Sequence, residues 1–113
     1  MREAAVTAEP QSAQPGMVIT AVDARHAEVT LTGHLSTRVL CDLEEWFDDL
    51  RLQRADHWVV DMRGVTRIEL ACAYALLRAV TAHSGTASIC GGRRPVLRTL
   101  RRVGLDKAAV IVE

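Results

Sequence analysis

Between residues 17 and 113 the apolar residues change period repeatedly, from two to about 3.6 and back, and this alternation constrains the fold more than any other feature. Residues 17–22, MVITAV, read as a short strand, and residues 23–28 as a turn. Glu28-Val29-Thr30-Leu31-Thr32 alternates polar and apolar, as in a strand with one buried face, so the two runs form a hairpin. Gly33 breaks the second strand, and Ser36 or Thr37 can cap a helix that runs to about Gln53. Val39, Leu40, Leu43, Trp46, Phe47 and Leu50 make its apolar stripe, with Arg38, Asp42, Glu45 and Asp49 opposite. Arg38 and Asp42 stand at i and i+4, the spacing of a helical ion pair.

The period then returns to two. His57-Trp58-Val59-Val60-Asp61-Met62 is a compact strand ended by Arg63-Gly64. A helix follows from about Leu70 to His83, with Leu76, Leu77 and Val80 on its core side. Ala71, Ala73, Ala75 and Ala79 permit close approach to a sheet, and Ser84-Gly85 stops the helix. Thr86–Cys90 is a further strand. Gly91-Gly92 turns into a helix with Pro95 in its first turn and Val96, Leu97, Leu100 and Val103 on one face. Gly104 ends that helix, and residues 109–112 form a last strand. The order β-β-α-β-α-β-α-β predicts an α/β fold: a mixed, mostly parallel sheet covered by helices, with an antiparallel hairpin at one edge.

Residues 1–16 hold two prolines, a glycine and no periodicity, which predicts a flexible tail ahead of one domain over residues 17–113. Fourteen basic and fourteen acidic residues cancel, so no overall charge draws the chain to nucleic acid or to an anionic membrane. No apolar run approaches the roughly 20 residues that span a bilayer, and the start lacks a signal peptide's apolar segment, so a cytoplasmic protein without direct membrane insertion is expected. Cys41, Cys72 and Cys90 are widely spaced, which suits free thiols and argues against a zinc knuckle or a CxxC redox site. Cys41 and Cys90 read as core fillers. His26, His34, His57 and His83 fall in separate segments without metal-ligand spacing. No catalytic constellation assembles, so no enzyme activity, cofactor or metal is expected. Gly91-Gly92-Arg93-Arg94 lacks the spacing of a phosphate-binding loop. Arg93, Arg94, Arg98, Arg101 and Arg102 make the last helix basic, against an acidic first helix with Glu44, Glu45, Asp48 and Asp49; such an asymmetry can steer a partner, and otherwise marks solvated faces.

Three stretches resemble the STAS domain family of anti-sigma-factor antagonists. Residues 29–36, VTLTGHLS, are similar to the family's strand ending in Gly-Glu-Leu-Asp; residues 59–72, VVDMRGVTRIELAC, to its "VVLDLSGVTFIDSAG" stretch; and residues 95–106, PVLRTLRRVGLD, to its third helix ending in "TGLD". The resemblance spans about residues 17–113. It implies a non-catalytic regulator that binds an anti-sigma factor with a serine-kinase ATPase domain. In that family the serine of Asp-Ser-x-Gly, at the start of the second helix, is phosphorylated by the kinase. The phosphate adds about −1.5 to −2 charges, which a helix N-terminus tolerates and the partner's apposed surface does not.

Here the motif differs. Glu69 stands at the aspartate position and keeps the charge, Leu70 stands at the serine position and has no hydroxyl, and Cys72 replaces the glycine. His34 and Ser36 replace the glutamate and aspartate of the first element. The resemblance therefore implies no phosphoacceptor at Leu70 and a partner surface of Gly33, His34, Ser36, Thr37, Arg67, Glu69, Leu70, Ala71, Cys72, Tyr74 and Gly91. Thr66 and Thr37 are alternative hydroxyls, more simply read as a residue beneath the loop and a helix cap. Three other readings stay open: an accessory subunit of a membrane transport ATPase, a redox sensor in which Cys72, in the first turn of a helix, has a lowered pKa, and a structural homo-oligomer with no retained switch. A monomer or weak homodimer is expected.

Overall fold

The computed structural model describes residues 14–23 and 25–112, so most of the expected tail lies outside the described residues. Of that tail, Gln14 and Pro15 lie against Gly33, and Gly16 opens the first strand. Five strands form one sheet in chain order: β1 Gly16–Val22, β2 His26–Leu35, β3 His57–Ile68, β4 Thr86–Cys90 and β5 Val110–Val112. β1 pairs antiparallel with β2, and every other pair is parallel. The helices are α1 Leu40–Phe47, α2 Leu50–Arg54, α3 Leu70–Ala82 and α4 Arg94–Arg102.

The period-two pattern decides which face of the sheet is buried. Ala27, Val29, Leu31 and Leu35 of β2, Trp58, Val60 and Met62 of β3, and Ala87 and Ile89 of β4 point into one core. Leu43 and Phe47 of α1, Leu52 of α2, Leu76 and Val80 of α3, and Val96, Leu97 and Leu100 of α4 close it from the same side. Glu28, Val59, Ser88 and Val110, level with one another across four strands, lie on the opposite face, which no helix among the described residues covers. The expectation of helices covering the sheet holds for one face only.

Several boundaries also differ from the sequence reading. β2 starts at His26, inside the expected turn, and continues through Gly33, the expected break, to Leu35, because pairing with β3 carries on past the glycine. The first helix is not continuous: a 3-10 turn at Thr37–Val39 leads into α1, and the chain breaks after Phe47. Asp49 caps α2 by accepting from the Arg51 backbone N–H at 2.8 Å, a local bond that competes with the continuing helix. The break turns Leu50 out of the apolar stripe and leaves it 65% exposed. β3 does not stop at Gly64. Pairing with β2 shifts register between Thr30 and Thr32, and Thr32 packs so close to Gly64 that a β-carbon there would lie 2.8 Å from its methyl. A glycine inside a strand here marks a bulge and not an end.

The cysteines separate as well. Cys72 is buried, Cys41 is exposed and Cys90 is partly exposed on the uncovered sheet face, so neither of the latter two fills the core.

Candidate functional site

The site forms where β2 and β3 end and α3 begins. Glu69 follows β3 in extended conformation, its backbone N–H donating to the Leu35 carbonyl at 2.9 Å. Its own carbonyl accepts from the Cys72 and Ala73 N–H groups, both at 3.0 Å, which starts α3 at Leu70. The Glu69 side chain makes no cap for its own helix and reaches across to the 34–37 loop. Oε1 accepts the Thr37 backbone N–H at 3.0 Å, and Oε2 lies 3.5 Å from His34 Nε2, too far for a well-formed hydrogen bond. His34 Nε2 has no hydrogen-bond partner.

A second tie runs beneath the first. The Cys72 thiol donates to the Ser36 carbonyl at 3.1 Å, and Ser36 Oγ accepts the Arg38 N–H at 3.3 Å. Ser36, not Thr37, is the cap of the 3-10 turn. Burial pushes the Cys72 thiol up, and the Glu69 and Glu44 carboxylates push it the same way. The lowered pKa expected of a redox sensor is therefore absent. The thiol is inside, protonated and hydrogen-bonded, as a structural cysteine is.

Above these ties the surface is open. Leu70 and Tyr74, one turn apart on α3, are each 44% exposed, an unusual amount for large residues on a helix that otherwise buries its core side. Ala71 is half-buried between them, and Arg67 and Thr37 are exposed beside them. Further along α3, Arg78 Nη2 meets Glu44 Oε2 of α1 at 3.0 Å. The sequence reading missed Arg38. It belongs to the 3-10 turn that packs on α3, and it is exposed without the expected ion pair to Asp42, because the tighter turn breaks the i,i+4 spacing. The surface thus offers two apolar side chains near two cations and one carboxylate.

Not every expected residue joins it. Gly33 and Cys72 are buried and lie under the surface, not on it. Gly33, at φ +85, has the Gln14–Pro15 backbone where a β-carbon would be, at 2.6 Å. Gly91 is exposed but belongs elsewhere: it sits against Arg63 and Asp61, roughly 13 Å back along β3 from Arg67 at the usual strand rise. There Arg63 bonds the Asp61 carboxylate at 2.8 Å and holds it below the usual carboxylate range. Thr66 is exposed and does not pack beneath the loop. No group of His, Cys, Asp and Glu among the described residues can hold a metal ion. No helix among them is long and apolar enough to cross a membrane.

Comparison with known proteins agrees with this fold. A family model described as "Mlab, STAS domain" matches residues 20–113. An anti-sigma factor antagonist from Mycobacterium paratuberculosis superposes with a TM-score of 0.72 at 16% identity, over 93% of this chain and 89% of that one. The anti-sigma factor antagonist SpoIIAA in its unphosphorylated form gives 0.66 at 11% identity, over 87% and 89%. No curated protein sequence matches. With a five-stranded mixed sheet, the β3–α3 junction described above and a family match over most of its length, the chain belongs to the STAS domain family.

Proposed function

We propose that the chain is a non-catalytic regulator of the anti-sigma-factor-antagonist type. It binds an anti-sigma factor carrying a serine-kinase ATPase domain through the start of α3 and the adjoining loop. The observation that carries this reading is the exposure of Leu70 and Tyr74 on a rim whose backbone is already tied down by Glu69. Exposed large apolar side chains beside arginines are the composition of an interface centre. Both structural neighbours are anti-sigma factor antagonists, which supports the partner class. Contact residues are His34, Ser36, Thr37, Arg67, Glu69, Leu70, Ala71 and Tyr74, with Arg38 added.

The contact carries no phosphate switch at residue 70. A leucine side chain has no oxygen to accept a phosphoryl group, so binding here responds to partner concentration and not to a kinase acting at that position. Intact-mass measurement after incubation with the cognate anti-sigma kinase and ATP tests the second half of the reading. No added phosphate at this surface is expected, and uptake of one there refutes it. Affinity capture with the wild-type chain and with Leu70→Glu tests the first half. A kinase-type anti-sigma factor is retained by the wild type and lost by the variant. Recovery of a transport ATPase in its place supports the accessory-subunit reading instead.

A further inference from the structure

A groove of about 450 Å³ runs between β1 and the C-terminal end of α1. Met17, Ile19 and the Trp46 indole supply its apolar lining, Glu45, Asp48 and Asp49 its carboxylates, and Arg51 a cation. Asp49 is engaged by Arg51 at 2.9 Å, and the hydrogen bonds from that arginine hold its carboxyl below the usual range. Glu45 and Asp48 are exposed and make no ion pair among the described residues. An indole beside uncommitted carboxylates in an open groove suits a guanidinium, which stacks on the ring and bonds the acid together.

The complementary surface is on the same chain. α4 buries Val96, Leu97 and Leu100 and presents Arg94 and Arg98 to solvent. These two arginines make no ion pair among the described residues, and they border a second shallow depression with Leu97. α3 packs against α1 on one side and α4 on the other, so the acidic groove and the basic helix lie on opposite flanks of the helical layer. Total charge is zero, so no long-range repulsion keeps copies apart.

We propose that the occupant of the Trp46 groove is α4 of a second copy of this chain, with Arg94 and Arg98 entering between the indole and the Glu45 and Asp48 carboxylates. The contact is head-to-tail. Each pair leaves one groove and one α4 free, so assembly grows with concentration into chains or closed rings. It uses neither Leu70 nor Tyr74, and it stands apart from the docking function proposed above.

Sedimentation velocity of the full chain at about 25 mM and about 500 mM salt reads the contact, because exposed charges are screened within a few ångströms at the higher value. At low salt the average mass rises with concentration to at least twice that of the monomer, and at high salt it returns to the monomer. R94A/R98A and E45Q/D48N each remain monomeric at low salt. Mixed in equal amounts they form a one-to-one heterodimer that grows no further, since each brings one intact surface. That capped mixture also shows that both variants are folded. The proposal is overturned by a wild-type chain still monomeric at low salt and about 1 mM, where weak specific pairs are half formed. Self-association that survives either variant, or a mixture that stays monomeric, overturns it equally. So does a monomeric wild type whose groove binds a short arginine-rich peptide, which assigns the groove to another basic protein.

Discussion

At its C-terminal end α3 runs into His83, which is buried, stacks on the Trp58 indole with ring centroids 4.0 Å apart and donates through Nε2 to the Ala55 carbonyl at 2.6 Å. Trp58 in turn donates to the Leu52 carbonyl at 2.8 Å and packs on Phe47. At its N-terminal end the same helix opens with Leu70 in solvent, Tyr74 one turn on, and hydrogen bonds that tie down backbone while leaving side chains free. One helix therefore joins an anchor to a display surface. The contrast separates two kinds of side chain on one helix: the aromatic stack with Trp58 lies at its C-terminal end, and the exposed leucine and tyrosine lie in its first two turns.

Substitutions along α3 and its supports can break or sharpen that contrast. Trp58→Ala has the largest expected effect, a loss of about 3–5 kcal/mol in urea unfolding, because a fully buried indole and its hydrogen bond are removed together. A loss below about 1 kcal/mol would mean that the anchor lies elsewhere. His83→Ala is expected to cost about 1–3 kcal/mol by the same measurement, through the lost stacking and the carbonyl of Ala55 left unpaired. Cys72→Ala should cost about 1 kcal/mol, the worth of the bond to Ser36. In the native chain Cys41 is alkylated first and Cys72 only on unfolding, since burial raises its thiol pKa; rapid native labelling of Cys72 by mass spectrometry would contradict this. Leu70→Ala and Tyr74→Ala fall at the bottom of the scale, within about 0.5 kcal/mol of wild type in stability. Both should nevertheless abolish capture of the anti-sigma partner proposed above, which a pull-down reads directly.

The element order was readable because it rests on hydrophobic period, a property each segment carries alone. Hence the two runs at residues 17–22 and 28–32, and the helices at Leu70 and Pro95, fall where the pattern puts them. What failed to show depends on contacts between distant segments. Gly64 reads as a breaker until Thr32 is seen pressed against it. Leu50 fits the stripe of one long helix until Asp49 is seen to cap a new one. The site divides in the same way. Leu70 at a helix start follows from the resemblance and from the local pattern. That Glu69 serves the Thr37 amide instead of its own helix depends on a contact across 32 positions of chain, which no local pattern encodes. Gly91, which the resemblance places at the rim, lies apart from it because β3 outruns β4 and the extra length carries the rim away.

The double hold of Glu69 and Cys72 on the 34–37 loop has a thermodynamic consequence. Two segments that would otherwise have to be frozen on association are already held in a fixed relation, so the docking proposed above would forfeit little chain entropy on this side. The rim is preorganised before any contact is made, which leaves the cost of rearrangement to whatever would bind it.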